Sequence, residues 1–535
     1  MSTDASPERP RTQHDRLLKS TYVVATMTLL SRIAGLAREM VFATWFGSGV
    51  VMDAYAVAFK IPNLLRRFFA EGAFSQAFVP IISEYRTNKT QEEARELISQ
   101  VSGTLGLMLF VVTAIGVIAA PVLIIVFAPG FLDGEDPRFG IATGMVRLTF
   151  PYLLFVSLTA LAGSVLNSYR HFAIAAFTPV LLNIVMIVFA GWVEPRLGRP
   201  GIGVAAGVFV AGVVQLGFQL PFLAKLRLLP RPRWGWAHEG VRRIMKLMLP
   251  AIFGSSVAQI SILFDTLLAS FLAAGSISWL YYSDRLIEFP LGVFGVALAT
   301  VILPRLSEHH ATESKETFSA TLDWALRLVL VLAVPAALGL VLLAQPLVAT
   351  LLNFGKFTDR DVVMATFSVQ AFAPGLIGFI LVKVLAPAYF ARQDTRTPVR
   401  IGVQALVLSM ALNVVFVLLL VQTGWAPAHA GIAAATSCAA FFNSTFLLIG
   451  LLKAGVYRAR PGWSALIAQV LAGNFVMAVA LVWVLNEVGD WLAMGEIERA
   501  ARLAVGVAGG ALVYFAACYS FGLRPSALRM RAQAS

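Results

Sequence analysis

Ionisable side chains interrupt three of the apolar stretches in this chain. Arg32 and Arg38 lie in the first, with Glu39 beside them. Asp53, Lys60, Asn63, Arg66, Arg67 and Glu71 crowd the second, and positions 53, 60, 63, 67 and 71 recur at helical spacing, so they form one polar stripe. Asp284, Arg285 and Glu288 share a face of a later stretch. Some of these charges can neutralise one another locally, Arg67 with Glu71 or Arg285 with Glu288. The group as a whole cannot. The first two stretches hold Arg32, Arg38, Lys60, Arg66 and Arg67 against Glu39, Asp53 and Glu71. Surplus buried positive charge is unfavourable unless the site is wet or an anion arrives. A voltage sensor would repeat arginine every third residue along one helix, and this pattern does not. Guanidinium offers a planar fork of donors matched to phosphate oxygens, so several converging arginines suit a diphosphate.

Two further charges stand alone in apolar surroundings, Asp265 and Lys383. Asp265 has no basic residue within helical reach. A carboxylate so placed is expected to be protonated, hydrogen-bonded to a neighbouring helix, or holding a cation.

The elements that carry these residues are membrane helices. Of 535 residues, 58% are hydrophobic and 13% charged, and mean hydropathy is +0.78. A soluble domain keeps roughly a quarter of its residues charged. Membrane spans need about 20 apolar residues each. About fourteen such runs are expected, near 20–46, 51–83, 98–128, 142–168, 173–193, 201–224, 244–272, 278–303, 320–352, 363–390, 398–421, 430–452, 463–485 and 500–522. The short alternating segments of a β-barrel are absent. The fold class is thus an all-α polytopic membrane protein. Cys438 and Cys518 sit inside apolar runs and read as packing residues. The polar first 19 residues read as a disordered cytoplasmic tail rather than a secretory signal.

Loop charge sets the expected orientation. Alternate loops carry about 26 Lys/Arg in one set and about 6 in the other. The basic set is expected to face the cytoplasm, with both termini inside. Lys225, Arg227, Arg231, Arg233, Arg242, Arg243 and Lys246 make one loop the richest. Read this way, the net charge of +13 serves topology, not nucleic acid.

The chain also repeats itself at roughly 220 residues. Pro80, Ser83 and Glu84 match Pro304, Ser307 and Glu308; Pro121 and Gly130 match Pro346 and Gly355; Thr178-Pro179 matches Thr397-Pro398. Six spans per half is even, so the halves insert as a parallel repeat. The expected division is a tail (1–19), an N-lobe (20–226), a basic linker (227–243), a C-lobe (244–453) and two further helices with a short tail (454–535).

The segments SRIAGLARE, DAYAVAFKIPNLLRRFFAEGAFSQAFVPIISEY, SWLYYSDRLIEFPLGVFGVALATVILPRLS, FGKFT and KVLAPAYFARQDTRTPV closely resemble the lipid II flippase family MurJ, also called MviN. That family belongs to the multidrug/oligosaccharidyl-lipid/polysaccharide exporter superfamily. The resemblance runs from about residue 18 to the last span. It implies two six-helix lobes around a central cavity and two C-terminal helices flanking a groove for a lipid tail. It implies flipping of undecaprenyl-diphosphate-linked disaccharide-pentapeptide, lipid II, from inner to outer leaflet of the bacterial cytoplasmic membrane by alternating access. The family's cavity positions carry over to Arg32, Arg38, Asp53, Asn63, Arg66, Arg67, Ser278, Arg285 and Glu288. The acid after Arg38 is Glu39, where some relatives have Asp, which barely changes the charge. Some family members bind sodium in the second lobe; here Asp265, with Asn413 and Thr436 from later spans, could supply oxygen ligands.

The expected partners are lipid II and membrane lipids; the sequence specifies no oligomeric state. No cofactor is expected, and no phosphate-binding G-x-x-x-x-G-K-[ST] motif is present, so an ion gradient (Na+ or H+) or the membrane potential would supply the energy. A flippase for another polyprenyl-linked oligosaccharide fits the same charges. A drug/cation antiporter of the superfamily would favour an acid-dominated cavity instead. A membrane transferase would need a carboxylate–metal cluster or a positioned base, and the six histidines fall in tails, loops or span ends. A scaffold role leaves the buried arginines unexplained.

Overall fold

Backbone amides and carbonyls in hydrocarbon must bond to one another, which a helix achieves within a single segment. The computed structural model of the chain describes residues 10–67, 73–296, 302, 306 and 315–524, with helices and no strand among them. In chain order they are α1 (Pro10–Phe46), α2 (Val50–Arg66), α3 (Ala73–Asn88), α4 (Gln91–Ile118), α5 (Ala120–Phe127), α6 (Arg138–Thr149) and α7 (Tyr152–Ser168). Then come α8 (Phe172–Val188), the short α9 (Glu194–Leu197), α10 (Ile202–Lys225), α11 (Glu239–Ser270) and α12 (Ser276–Pro290). The remainder are α13 (Lys315–Leu342), α14 (Ala344–Leu352), α15 (Asp359–Phe372), α16 (Gly375–Phe390), α17 (Arg396–Gln422), α18 (Ala430–Lys453), α19 (Trp463–Val488) and α20 (Glu496–Ser520).

Among the described residues, nine helices are long and apolar enough to span a membrane. The pair α15–α16 makes a tenth if counted as one span bent by 41°. The expected total of about fourteen is therefore not reached by this criterion. α1 falls short because it carries the charges of Arg32, Arg38 and Glu39, while α2 and α12 run up to residues outside the described ones. Of the expected 51–83 span the structure describes α2 and α3; 68–72, and hence Glu71, lie outside the described residues. Pro304, Ser307 and Glu308 of the repeat also lie outside them.

The chain forms two compact units. The first comprises Met1–Trp45 and Val50–Gln259. In it, α10 packs against α7 and α8 through small residues. A β-carbon at Gly207 would stand 2.7 Å from Phe189 Cβ, and one at Gly212 would stand 2.9 Å from the Tyr152 ring. Side-chain-free positions let the helices approach closely where no hydrophobic effect drives them together. The basic 226–238 stretch is a strap on α4: Ser99 and Thr104 accept the backbone N–H groups of Arg231, Arg233 and Gly235 at 3.0–3.1 Å.

The second unit comprises Phe46–Gly49 and Ile260–Ser535. Here α18 packs on α16 and α17, and α19 on α20 and α13. Buried Asp323 of α13 fixes the approach to α19. Its carboxylate accepts from Tyr457 Oη (2.9 Å), Trp463 Nε1 (2.7 Å), the Arg460 amide (3.2 Å) and Arg327 Nε (2.7 Å). Beyond that joint, Val331, Leu466, Val470, Met477, Tyr514 and Cys518 form a common core. Cys518 is a packing residue, as expected; Cys438 is exposed.

One break recurs in both units. α4 yields to α5 at Ala119 with Pro121 in the first turn, and α13 yields to α14 at Leu343 with Pro346 close behind. A proline lacks the amide its helix would use, so each long helix stops and restarts there.

Candidate functional site

The polar residues of the first unit sit on α1 and α2. Proline 62 inside α2 leaves the Ala58 carbonyl without its usual amide donor. The Thr149 hydroxyl of α6 donates to that carbonyl at 3.4 Å, so the kink stays satisfied within hydrocarbon. From Lys60 onward the polar residues leave the core: Met52 to Ala58 are buried, whereas Lys60, Asn63, Arg66 and Arg67 are half-buried. Arg66 Nε donates to Asn63 Oδ1 at 2.8 Å, and Arg67 Nη1 to Gln259 Oε1 at 3.3 Å. On α1, buried Arg38 pairs with buried Glu39 and stacks over the Phe42 ring at 5.7 Å.

Asp53 is placed differently from its stripe-mates. It is fully buried, with Oδ2 3.3 Å from Nη1 of Arg138. Arg138 also grips Asp136 at 2.6 Å and lies over the Phe131 ring at 4.4 Å. Burial pushes the Asp136 carboxyl up, but hydrogen bonds from the Arg138 side chain and amide outweigh it and hold the group below the usual range. Sequence reasoning missed Arg138 because it lies in an expected loop and was counted only toward loop charge.

Arg32 stands apart. It lines a cleft between α1, α7 and α8, not a contact with Arg38, Arg66 or Arg67.

In the second unit, Arg285 Nη1 donates to Glu288 Oε2 at 2.6 Å and its guanidinium lies 5.1 Å from the Tyr281 ring centre. Both charged ends are partly exposed, Ser278 is fully buried and Asp284 is exposed. Asp265 of α11 accepts from Asn413 Nδ2 of α17 at 2.6 Å, so Asn413 turns its amide nitrogen, not the expected oxygen, to the carboxylate. Thr436 Oγ1 donates to its own helix at Ile432, 3.0 Å away. Lys383 is half-buried on α16.

A second polar centre escaped the sequence. Asp361 caps α15 through Thr358 and accepts from Trp279 Nε1 at 3.0 Å and from Ser48 Oγ. Tyr282 Oη donates to the Gly47 carbonyl at 3.1 Å. His429, just before α18, lies 4.8 Å from the Trp279 ring and 3.1 Å from the Met364 carbonyl. Burial pushes its imidazole down to about 4, against a smaller upward pull from that carbonyl. Trp279 and Tyr282 fall in the SWLYYSDRLIEF segment and Thr358 closes FGKFT, but nothing in the sequence ties either segment to Ser48 or His429.

Comparison with known proteins matches the geometry to a family. The family model described as lipid II flippase MurJ matches residues 42–500. A probable lipid II flippase MurJ of Vibrio cholerae is 46% identical over 515 residues, covering 95% of this chain and 97% of that one. A lipid II flippase MurJ of Burkholderia cenocepacia is 40% identical over 523 residues, covering 97% and 100%. The solved structure of a lipid II flippase MurJ in an inward closed conformation superposes with a TM-score of 0.77 at 25% identity, covering 94% of this chain and 98% of that one. A multidrug resistance MATE family transporter of the MOP superfamily shares the fold at a TM-score of 0.65 and 12% identity, covering 81% and 98%. With the family model spanning most of the chain and relatives at 40–46% identity along nearly all of it, the chain belongs to the lipid II flippase MurJ family.

Proposed function

We propose that this chain flips lipid II from the inner to the outer leaflet of the bacterial inner membrane by alternating access. The observation that carries the reading is the end-to-end match to the MurJ family. The guanidinium groups give it a chemical basis. Arg38, Arg66 and Arg67 on one unit and Arg285 on the other are donors suited to diphosphate oxygens. Lys60, Asn63, Glu71, Ser278, Asp284 and Glu288 complete the proposed polar path for sugar and peptide; Asp53 would act through Arg138. The prenyl tail stays in hydrocarbon beside α19 and α20. Both termini lie in the cytoplasm. The protein is a transporter, and flipping of fluorescent lipid II by the reconstituted chain tests that directly.

Energy comes from an ion gradient or the membrane potential, the latter worth about 2.3 kcal/mol per charge per 100 mV. The Asp265–Asn413 pair, with Thr436, is the proposed cation or proton site. The carboxylate accepts from Asn413 Nδ2 at 2.6 Å, and the cation or proton would bind beside that contact. Thermal stabilisation of the wild-type chain is expected to rise with sodium or change with pH, and Asp265→Asn should abolish the response. A wild type indifferent to both, or a variant that keeps the full response, removes Asp265 from the mechanism.

A further inference from the structure

Carboxylates hold three of the chain's arginines: Arg38 has Glu39, Arg138 has Asp53 and Asp136, and Arg285 has Glu288. Arg67 is held differently. Its Nη1 donates to Oε1 of Gln259 at 3.3 Å, inside the first unit. Among the described residues that is its one hydrogen bond, and no carboxylate reaches it.

Chemistry fixes which end of the amide meets the guanidinium. Arginine carries donors and no acceptor, so only the carbonyl oxygen of Gln259 can face it. The amide nitrogen is turned elsewhere and makes no hydrogen bond among the described residues. Gln259 is 7% exposed on α11, so its own packing holds it in place, whereas Arg67 is half-buried just past the end of α2.

An amide in place of an acid has an electrical consequence. A carboxylate here would make a stronger bond and cancel the charge of Arg67. A carboxamide orients the guanidinium fork and leaves its full positive charge for an anion. It also brings an NH2 donor close to the guanidinium, which a carboxylate cannot do. Arg38 and Arg285, by contrast, are already balanced by Glu39 and Glu288.

We propose that Gln259 is a positioning residue that sets charge specificity: it aims Arg67 without neutralising it, and so favours a charged polyprenyl diphosphate over an uncharged polyprenol. The proposal rests on the reading of Arg67 as a diphosphate donor given above.

Retention of undecaprenyl diphosphate and of undecaprenol by the purified full chain, measured by native mass spectrometry in separate arms, tests it. Wild type is expected to retain the diphosphate in preference to the alcohol. Gln259→Glu is close to isosteric and keeps the bond to Arg67, and a carboxylate beside a guanidinium stays ionised. It should lower diphosphate retention by roughly tenfold and leave undecaprenol retention unchanged. A purely structural Gln259 would tolerate that change, because bond and volume both survive. Gln259→Met removes the acceptor but keeps the charge of Arg67, and should lower diphosphate retention by only about threefold. In an Arg67→Gln background Gln259→Met should change nothing further, since it acts through Arg67. Diphosphate retention that is equal in wild type and Q259E, or that falls in parallel with undecaprenol retention, overturns the proposal. So does an effect of Gln259→Met that is the same with and without Arg67. A wild type that does not distinguish diphosphate from alcohol removes the diphosphate reading and this proposal with it. A wild type that distinguishes them while Q259E does so equally well removes Gln259 alone.

Discussion

Arginines decide the chemistry at the scale of single residues, and the sequence showed which ones without showing what each touches. Arg38 is buried against Glu39 and Arg285 reaches Glu288 while staying partly exposed, so neither charge is wasted in the absence of substrate. Losing either should remove phosphate recognition, not folding. Arg38→Ala or Arg285→Ala is expected to abolish growth of a flippase-depleted strain at near-normal membrane abundance. Lysine at either position should rescue only partly, because a point charge lacks the bidentate fork. Normal growth of the alanine variants at normal abundance would remove these positions from the account. The helical spacing of the stripe put Lys60, Asn63 and Arg67 on one face, and each is half-buried. It could not separate Asp53, because periodicity is blind to a partner 85 residues away, and the Arg138 contact is what sets Asp53 apart. For the same reason Asp265 was legible as an anomaly, while its hydrogen bond to Asn413, 148 positions on, needed the tertiary structure.

Single elements carry a second kind of information. Length and apolarity identified α4, α8, α10 and α17–α20 well, since these helices have few charges to blur the pattern. The same criterion misses α1, whose apolar stretch is interrupted by Arg32, Arg38 and Glu39; function places charges where a span-finding rule expects none. The bend between α15 and α16 follows from Pro374, which the sequence contains but apolarity ignores. Just before α18, His429 makes a prediction at this scale. Its folded-state value of about 4 lies below the ordinary 6.5, so its neutral form supports the packing on Trp279. That support is intact above about pH 6.5 and is lost as pH falls through the folded value. The shift corresponds to about 3 kcal/mol when fully expressed. The unfolding midpoint of the purified chain should therefore fall on acidification from pH 7 to 4 more steeply than that of His429→Gln. Parallel curves would show that His429 contributes nothing to acid sensitivity.

At the scale of the whole molecule, the chain is a multi-pass helical protein with two compact units, and the family match covers both. The division falls at Gln259, within α11, although charge and composition place the natural break in the basic stretch 227–243. Composition could not show that this stretch is tied to α4 by backbone hydrogen bonds, which make it part of the first unit. Its exposed, stacked Trp234 and Trp236 suit a membrane interface. The proposed orientation puts them on the cytoplasmic side. Single cysteines at Gly134 and Asp490, both exposed, should label from outside intact cells, and one at Trp236 only after permeabilisation. Outside labelling at Trp236 would invert the topology. The measurement that bears most directly on function is transbilayer movement of fluorescent lipid II in proteoliposomes holding the purified chain, with and without an imposed ion gradient or potential. Movement that requires the protein, responds to the imposed gradient or potential and is lost in Arg285→Ala is the predicted result. Movement no faster than in protein-free liposomes under every condition, with the chain folded and inserted, would contradict the account.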